Sequence, residues 1–215
     1  MNRDALICSS LTGYTYSHCR QAIAHTGMAE IRMDTMALTL EQVEGLFGAA
    51  PVPLIATYRA GKTSDTQRAL FLIAAIHAGA AFIDLAFDDP CRRRLMQEAR
   101  AHGCSVILSY HNFECTPPAE TLHGIMRQMA EYAPDILKIV PLARLPIDCL
   151  RVLALYAEGY RLLAFCMGAA GRYSRIASAL LGAPFVYAAP DNGQPAADGQ
   201  FTVSQVRLLL SHCAP

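Results

Sequence analysis

Lys138 is the residue of this sequence whose surroundings point most directly to chemistry. It is one of only two lysines among 18 basic residues, and two apolar residues flank it on each side. An unpaired ammonium is costly to bury, so Lys138 either pairs with a carboxylate, for which Asp84 is the candidate, or lowers its pKa and stays neutral. A neutral buried lysine attacks carbonyl groups and forms Schiff bases. Both alternatives are open at this point.

His111 is the second candidate, because it follows an apolar run and shares a face with Ser109. The run at 105–110 predicts a buried strand, and His111 is expected at its end. An imidazole in that position is suited to acid and base catalysis.

Further charged residues fall near the ends of other predicted strands. Glu30, Arg32 and Asp34 recur at every second position, so they are expected to share one face of a strand. Inside a closed barrel, such a polar trio needs a polar ligand or mutual pairing. Arg59 adds a cation after the third predicted strand.

Two late segments are typical of ligand-binding loops. Residues 167–175 form a stretch rich in small residues that ends at Arg175, and a loop in this position often binds a substrate anion in barrels. Residues 191–200 are rich in Gly, Pro, Ala and Asn, and end at Gln200. This composition predicts a mobile loop over the mouth of the barrel.

The elements that would position these residues alternate along the chain. Short apolar runs predict eight strands, and the segments between them have helical spacing. This alternation predicts an α/β fold, a compact (β/α)8 TIM barrel that forms a single domain over 1–215. An open doubly wound sheet is the alternative, but the Gly-rich turn that it would need after the first strand is missing. The predicted strands are 5–10, 29–33, 53–58, 81–87, 105–110, 136–140, 162–167 and 185–188.

Local signals predict where several helices begin and end. Thr39 is a plausible N-cap, and Gly79 and Gly103 follow helical segments at 65–78 and 91–102 as stop signals. Thr116, followed by Pro117, predicts a further helix start with a capping hydroxyl.

Composition limits the possible classes of protein. The 215 residues are 53% hydrophobic and 17% charged, with a formal net charge of zero. Such a chain needs a large core, and it lacks the basic surplus expected of a protein that binds nucleic acid or an anionic membrane. With neither a signal-peptide layout nor a run of membrane-spanning length, we expect a cytoplasmic protein. The eight cysteines form no C-x-x-C pair, so no metal is expected.

Five motifs together resemble those of the type I 3-dehydroquinate dehydratases, in the same order and at compatible spacing over essentially the whole chain. They are Glu-Ile-Arg-Met-Asp at 30–34, Thr-Tyr-Arg at 57–59, Ser-Tyr-His-Asn-Phe at 109–113 with Thr-Pro at 116–117, Asp-Ile-Leu-Lys-Ile at 135–139, and 167–175 from Met-Gly to Ser-Arg.

The resemblance implies a (β/α)8 barrel that dehydrates 3-dehydroquinate to 3-dehydroshikimate without a cofactor. It also implies a homodimer. Lys138 would form an imine with the substrate ketone, and His111 would move the protons of a syn elimination. Arg175 would hold the substrate carboxylate. The remaining substrate-binding residues implied by the family are Ser10, Glu30, Arg32, Arg59 and Gln200.

The sequence also departs from the family pattern. Members commonly carry acids where this chain has Thr63 and Ala86, and an Asp where it has Asn112. Family members carry a Ser in the closing loop at the position where this chain has Ala196. These changes remove acids that would orient His111 and balance the charge of Lys138.

Two other functions fit part of this pattern. A different Schiff-base lyase or aldolase would share the lysine of the sixth strand, but not the group of cations. A barrel that binds a shikimate-like ligand without catalysis would keep the cations, but has no need of both Lys138 and His111.

Overall fold

The computed structural model describes residues 7–61 and 63–213 and contains eight strands. All strand pairs are parallel, and hydrogen-bonded ladders join the strands in the order β7-β6-β5-β4-β3-β2-β1-β8. The strands are β1 Ile7–Leu11, β2 Ala29–Arg32, β3 Leu54–Thr57, β4 Phe82–Ala86, β5 Ser105–Asn112, β6 Ile136–Pro141, β7 Leu162–Ala164 and β8 Val186–Ala188. The predicted (β/α)8 barrel is confirmed.

A helix follows each strand along the chain. The helices are α1 Tyr16–Ile23, α2 Leu40–Gly48, α3 Asp65–His77, α4 Arg92–Ala101, α5 Ala119–Ala130, α6 Asp148–Leu153, α7 Ser174–Leu180 and α8 Val203–Cys213. None of the described helices is both long and apolar enough to span a bilayer.

The barrel closes between β7 and β8 through the packing of side chains. No ladder joins these two strands in the described residues. Phe165, just after β7, instead packs against Tyr187 of β8, with ring centroids 6.4 Å apart. These rings join an apolar cluster inside the barrel that includes Ile55, Ile107 and Leu163. A separate, larger cluster fills the layer between the strands and the helices.

Most of the predicted helix boundaries are confirmed. Thr39 caps α2 through a capping box with Gln42, in which each side chain bonds the other residue's backbone amide. Gly79 and Gly103 follow α3 and α4 with φ values of 102° and 69°. Only glycine adopts this region readily, and this explains why it ends both helices.

The predicted start of α5 at Thr116 is wrong. The helix begins at Ala119 with Pro118 at its N-cap, and the Thr116 hydroxyl donates instead to the carbonyl oxygen of Leu142, at 2.9 Å. Thr116 therefore ties the loop after β5 to the end of β6.

Several strand ends also differ from the prediction, and β7 ends at Ala164 rather than at 167. β2 ends at Arg32, and Asp34 lies in a 3-10 turn spanning Met33–Thr35 rather than on the strand. β5 continues to Asn112, so His111 is part of the strand. Residues 5 and 6 of the first predicted strand lie outside the described residues, as does Lys62.

Candidate active site

A cavity of about 470 Å³ opens at the carboxyl ends of the strands. This is the end at which active sites lie in (β/α)8 barrels. Every candidate named from the sequence lines it: Ser10, Glu30, Arg32, Arg59, His111, Lys138, Arg175 and Gln200.

Lys138 is buried at the floor of this cavity and is paired. Its Nζ donates to Asp84 Oδ2 at 2.7 Å, and Arg59 Nη2 lies 2.8 Å from the other oxygen of the same carboxylate. Burial alone would raise the pKa of Asp84, but the positive charges of Arg59 and Lys138 hold it well below its ordinary value. Of the two alternatives for Lys138, the structure shows the carboxylate pair. Two cations share this one anion.

Tyr187 is a neighbour of Lys138 that the sequence analysis missed. The Lys138 ammonium lies 4.2 Å from the centroid of the Tyr187 ring, which is a cation–π distance. Burial, with the negative charges of Glu30 and Asp84, raises the pKa of Tyr187 well above its ordinary value. The sequence offered one signal for this role, an aromatic residue in the short eighth strand, but such a residue is also typical of a hydrophobic core.

His111 projects from the strand next to Lys138. In the ladder between β5 and β6, Ser109 lies opposite Lys138, and His111 is two residues further toward the mouth on the same face. Burial, and the positive charges of Arg59 and Lys138, lower the pKa of His111 well below its ordinary value. The ring is therefore neutral at neutral pH, as a general base must be.

The ring of His111 lies nearly parallel to the ring of Phe113. Their planes differ by 11° and their centroids are 6.0 Å apart, whereas no side-chain hydrogen bond to His111 is formed within the described residues. Thr63, which replaces a family acid, bonds the hydroxyl of Tyr58 at 3.0 Å instead. Ala86, the other replacement, lines the cavity but offers no polar group.

Glu30 and Arg32 are each held by one neighbour. Thr57 donates to Glu30 Oε1 at 2.8 Å. Both oxygens of Asp34 accept from Arg32, at 3.0 and 2.8 Å, which fixes the guanidinium in a two-point pair. Asp34 lies in the 3-10 turn after β2, and this turn positions its carboxylate against the guanidinium of Arg32.

Arg175 is a buried cation that pairs with no acid in the part of the chain that the structure describes. It is 3% exposed, stacks 4.6 Å from the centroid of Phe165, and donates to the backbone oxygen of Asp198 at 3.3 Å. Its Nε has no hydrogen-bond partner among the residues described. Burial lowers the pKa of Arg175 to about 10, so it remains protonated. A buried charge of this kind is matched to an anionic ligand.

The loop after β8 brings Gln200 across the mouth. Gln200 Nε2 donates to Ser10 Oγ at 3.2 Å, and Gln200 Oε1 accepts from the amide of Ala196 at 2.8 Å. A Cβ on Gly199 would lie 2.7 Å from the carbonyl oxygen of Gly168, so only glycine fits where this loop crosses the loop after β7. Ala196 and Ala197 also line the cavity.

The cavity therefore combines a buried amine, a neutral imidazole and a buried guanidinium that no acid pairs within the described residues. Arg59 and Lys138 share one carboxylate, and Arg175 has none. The arrangement suits a small anion that carries a carbonyl group within reach of Lys138 and an acidic hydrogen near His111.

Comparisons with known proteins agree with this chemistry. The family model for Type I 3-dehydroquinase matches residues 7–214. The 3-dehydroquinate dehydratase of Thermococcus onnurineus (strain NA1) is 39% identical over 187 residues, which are 84% of this chain and 85% of that protein. That of Desulfotalea psychrophila (strain LSv54 / DSM 12343) is 33% identical over 222 residues, covering 95% and 96% of the two chains.

A solved structure shares the fold. The crystal structure of 3-dehydroquinate dehydratase from Geobacillus kaustophilus HTA426 aligns with a TM-score of 0.86 and 24% sequence identity. The alignment covers 98% of this chain and 91% of that one.

Proposed function

This chain belongs to the type I 3-dehydroquinase family, which dehydrates 3-dehydroquinate to 3-dehydroshikimate, and we propose that Lys138 and His111 carry out that reaction. The reaction is a hydro-lyase step of the shikimate pathway. The single observation that carries the proposal is the position of the Lys138 amine, which is buried at the cavity floor with His111 above it on the adjacent strand.

The first stage is formation of the imine. Lys138 loses a proton and its Nζ attacks the C3 ketone of the substrate, and the carbonyl oxygen leaves as water to give a protonated imine. The neutral His111 is the group placed to move protons in these steps. Asp84, held ionised below the cavity, stabilises the positive charge that stays on Nζ.

The second stage is the elimination. The protonated imine draws electrons from C2, so His111 removes a C2 proton and an enamine forms. His111 then returns a proton to the C1 hydroxyl, which departs as water while the C1–C2 double bond forms. One imidazole on one side of the ring accounts for a syn elimination. Water then hydrolyses the imine and frees Lys138.

Substrate binding is assigned to the cations and hydroxyls of the mouth. Arg175 holds the substrate carboxylate, because it is a buried guanidinium without an acid of its own. We assign the ring oxygens to Glu30, Arg32 and Arg59, which line the cavity, and the loop side of the cavity to Gln200 and Ser10, which are hydrogen-bonded to each other. This assignment involves the chain's own residues and no cofactor.

The test compares His111→Ala with His123→Ala. His123 is the control because it lies on α5, pairs with Glu158 and does not line the cavity. Incubation with 3-dehydroquinate is followed by the conjugated-enone absorbance of 3-dehydroshikimate. We expect His111→Ala to lose ~10²–10⁴-fold in kcat and His123→Ala to match the unmodified protein. Equal activity in His111→Ala would overturn the assigned base. Cleavage of a carbon–carbon bond in place of dehydration would instead indicate an aldolase.

A homodimer is a further proposal, and an exposed apolar surface supports it. Leu145, Ile147 and Leu150 are each more than half exposed, and Tyr173 beside them donates to the backbone oxygen of Pro146. Light scattering after gel filtration should give twice the chain mass, and Ile147→Glu with Leu150→Glu should give the monomer. Leu70→Glu, at a half-exposed position of α3, is the control. A monomeric unmodified protein would refute the proposal.

A cytoplasmic location is also proposed, on the basis of the metabolic family and of buried single thiols such as Cys8, Cys19 and Cys149. Reduced cysteines are typical of that compartment. Cell fractionation with an antibody to the chain checks it, and recovery from an extracytoplasmic fraction would contradict it.

A further inference from the structure

Two histidines and a glutamate meet on the surface formed by α3 and α4. His77 Nε2 lies 2.6 Å from Glu98 Oε1, and His102 Nδ1 lies 3.6 Å from the same oxygen. The two imidazole centroids are 4.3 Å apart. One potential ligand atom from each residue lies within 4.8 Å of the others.

The fold brings these residues together at the end of the barrel opposite the cavity. His77 is the last residue of α3, and His102 follows the last residue of α4, so both precede the strands β4 and β5. Because β4 and β5 are neighbours, the helix ends that lead into them are also neighbours. Glu98 and His102 are four residues apart around the end of α4, which places them on one face.

The spacing fits a single zinc-sized ion. Zinc lies about 2.0–2.2 Å from histidine nitrogen and carboxylate oxygen, so tetrahedral ligand atoms stand roughly 3.3 Å apart. The distances of 2.6 and 3.6 Å to Glu98 Oε1 bracket that value, and all three ligand atoms lie within 4.8 Å of one another, so side-chain rotations can bring them to it. Two imidazoles with one carboxylate favour zinc and similar transition metals over magnesium or calcium, which prefer oxygen ligands.

His102 has one further contact that a metal would displace. His102 Nδ1 lies 3.0 Å from the backbone oxygen of Glu98 in the last turn of α4. A metal at Nδ1 would replace that contact, and the freed carbonyl lies at an exposed helix end where water can bond it.

We propose that His77, Glu98 and His102 form a surface site for one zinc-class divalent transition metal ion, which links the ends of α3 and α4. Water fills the fourth position, since all three side chains are partly exposed. Sequence spacing does not reveal the site, because His77 comes from a different helix. The proposal is independent of the dehydratase mechanism.

Calorimetric titration with zinc chloride, on protein kept reduced by a phosphine, tests the site. We expect one ion per chain with a micromolar Kd, and a loss of at least ~10–100-fold in affinity in His77→Asn and in His102→Asn. His123→Asn removes a histidine outside the group and should bind as the unmodified chain does. Unchanged zinc affinity in both site variants would place the ion elsewhere and overturn the proposal, as would no binding at millimolar zinc.

Thermal unfolding gives a second readout. Zinc at about 100 times its Kd should raise the melting temperature by roughly 5 to 10 °C, whereas magnesium should not. The zinc-induced shift should vanish in His77→Asn, while dehydration of 3-dehydroquinate by this variant stays unchanged without metal. A shift that persists in His77→Asn would contradict the proposed ligands.

Discussion

Two networks of buried charge in this barrel have opposite balances. At the cavity floor, Lys138 and Arg59 share the single carboxylate of Asp84. Near the start of α3, the single guanidinium of Arg68 lies 2.8 Å from Asp89 and 3.0 Å from Asp65.

The difference separates a site from a structural pair. In the network of Arg68, two carboxylates of the protein face the single guanidinium, and Asp89 also accepts a hydrogen bond from the backbone amide of Cys91. This network fixes the loop between β4 and α4. The network of Asp84 places two cations on one carboxylate beside an open cavity, to which Arg175 adds a buried guanidinium. Burial of an ion pair alone therefore does not mark an active site, whereas unbalanced charge beside a cavity does.

Lys138→Met should give the largest effect on catalysis. The substitution removes the group that forms the imine, and we expect a loss of roughly 10⁴-fold or more in kcat. Asp84 keeps Arg59 as its partner, so the variant should fold. The enone assay measures the rate and circular dichroism checks the fold. A folded variant with activity within tenfold of the unmodified chain would remove Lys138 from the mechanism.

Arg68→Met should harm stability rather than chemistry. It leaves Asp89 buried without its cation, which typically costs about 3–5 kcal/mol in the free energy of unfolding. Urea denaturation measures that loss, and kcat per folded molecule should change less than threefold. If kcat instead fell as far as in Lys138→Met, the distinction between the two networks would fail.

Tyr187 gives a smaller effect that depends on its ring. Tyr187→Phe keeps an aromatic face beside Lys138, so kcat should change little. Tyr187→Leu loses a cation–π contact worth about 0.5–2 kcal/mol, which corresponds to roughly 2- to 30-fold in kcat. The KM should change less than kcat, because the contact is to Lys138. Equal losses in both variants would assign the role to the hydroxyl instead.

The smallest expected effect is a shift in titration. Because burial and nearby cations lower the pKa of His111, the ring should remain neutral at and below pH 6.5. Arg59→Gln removes the strongest of those charges, so the pKa should rise toward its ordinary value. NMR titration of the imidazole in the free protein measures both. An unchanged or lower pKa in Arg59→Gln would contradict the electrostatic account.

Much of the fold was predictable because the signals were local. Apolar runs located all eight strands, and the stop signals at Gly79 and Gly103 lie where φ is positive. The helix start predicted at Thr116 was wrong because its hydroxyl does not cap the helix. The hydroxyl instead donates to the carbonyl oxygen of Leu142, just after β6. Asp34 was predicted to lie on the strand because alternation of polar residues does not reveal that the chain turns into a 3-10 turn after Arg32.

For the site, the residue types were predictable, but their partners were not. Lys138 stood out because a lysine among apolar residues is costly to bury. Which of the two alternatives applies depends on Asp84, 54 positions earlier, and no local pattern encodes that contact. Tyr187 was missed for the same reason, because its role comes only from the ring's position over an ammonium on another strand.

Borohydride trapping during turnover tests the central claim most directly. Sodium borohydride added with 3-dehydroquinate should reduce the imine and stop the reaction, and peptide mass spectrometry should find the adduct on Lys138. His111→Ala should still give part of this adduct, because the base acts mainly after the imine forms. An adduct on Lys62, or none from an active protein, would contradict the account.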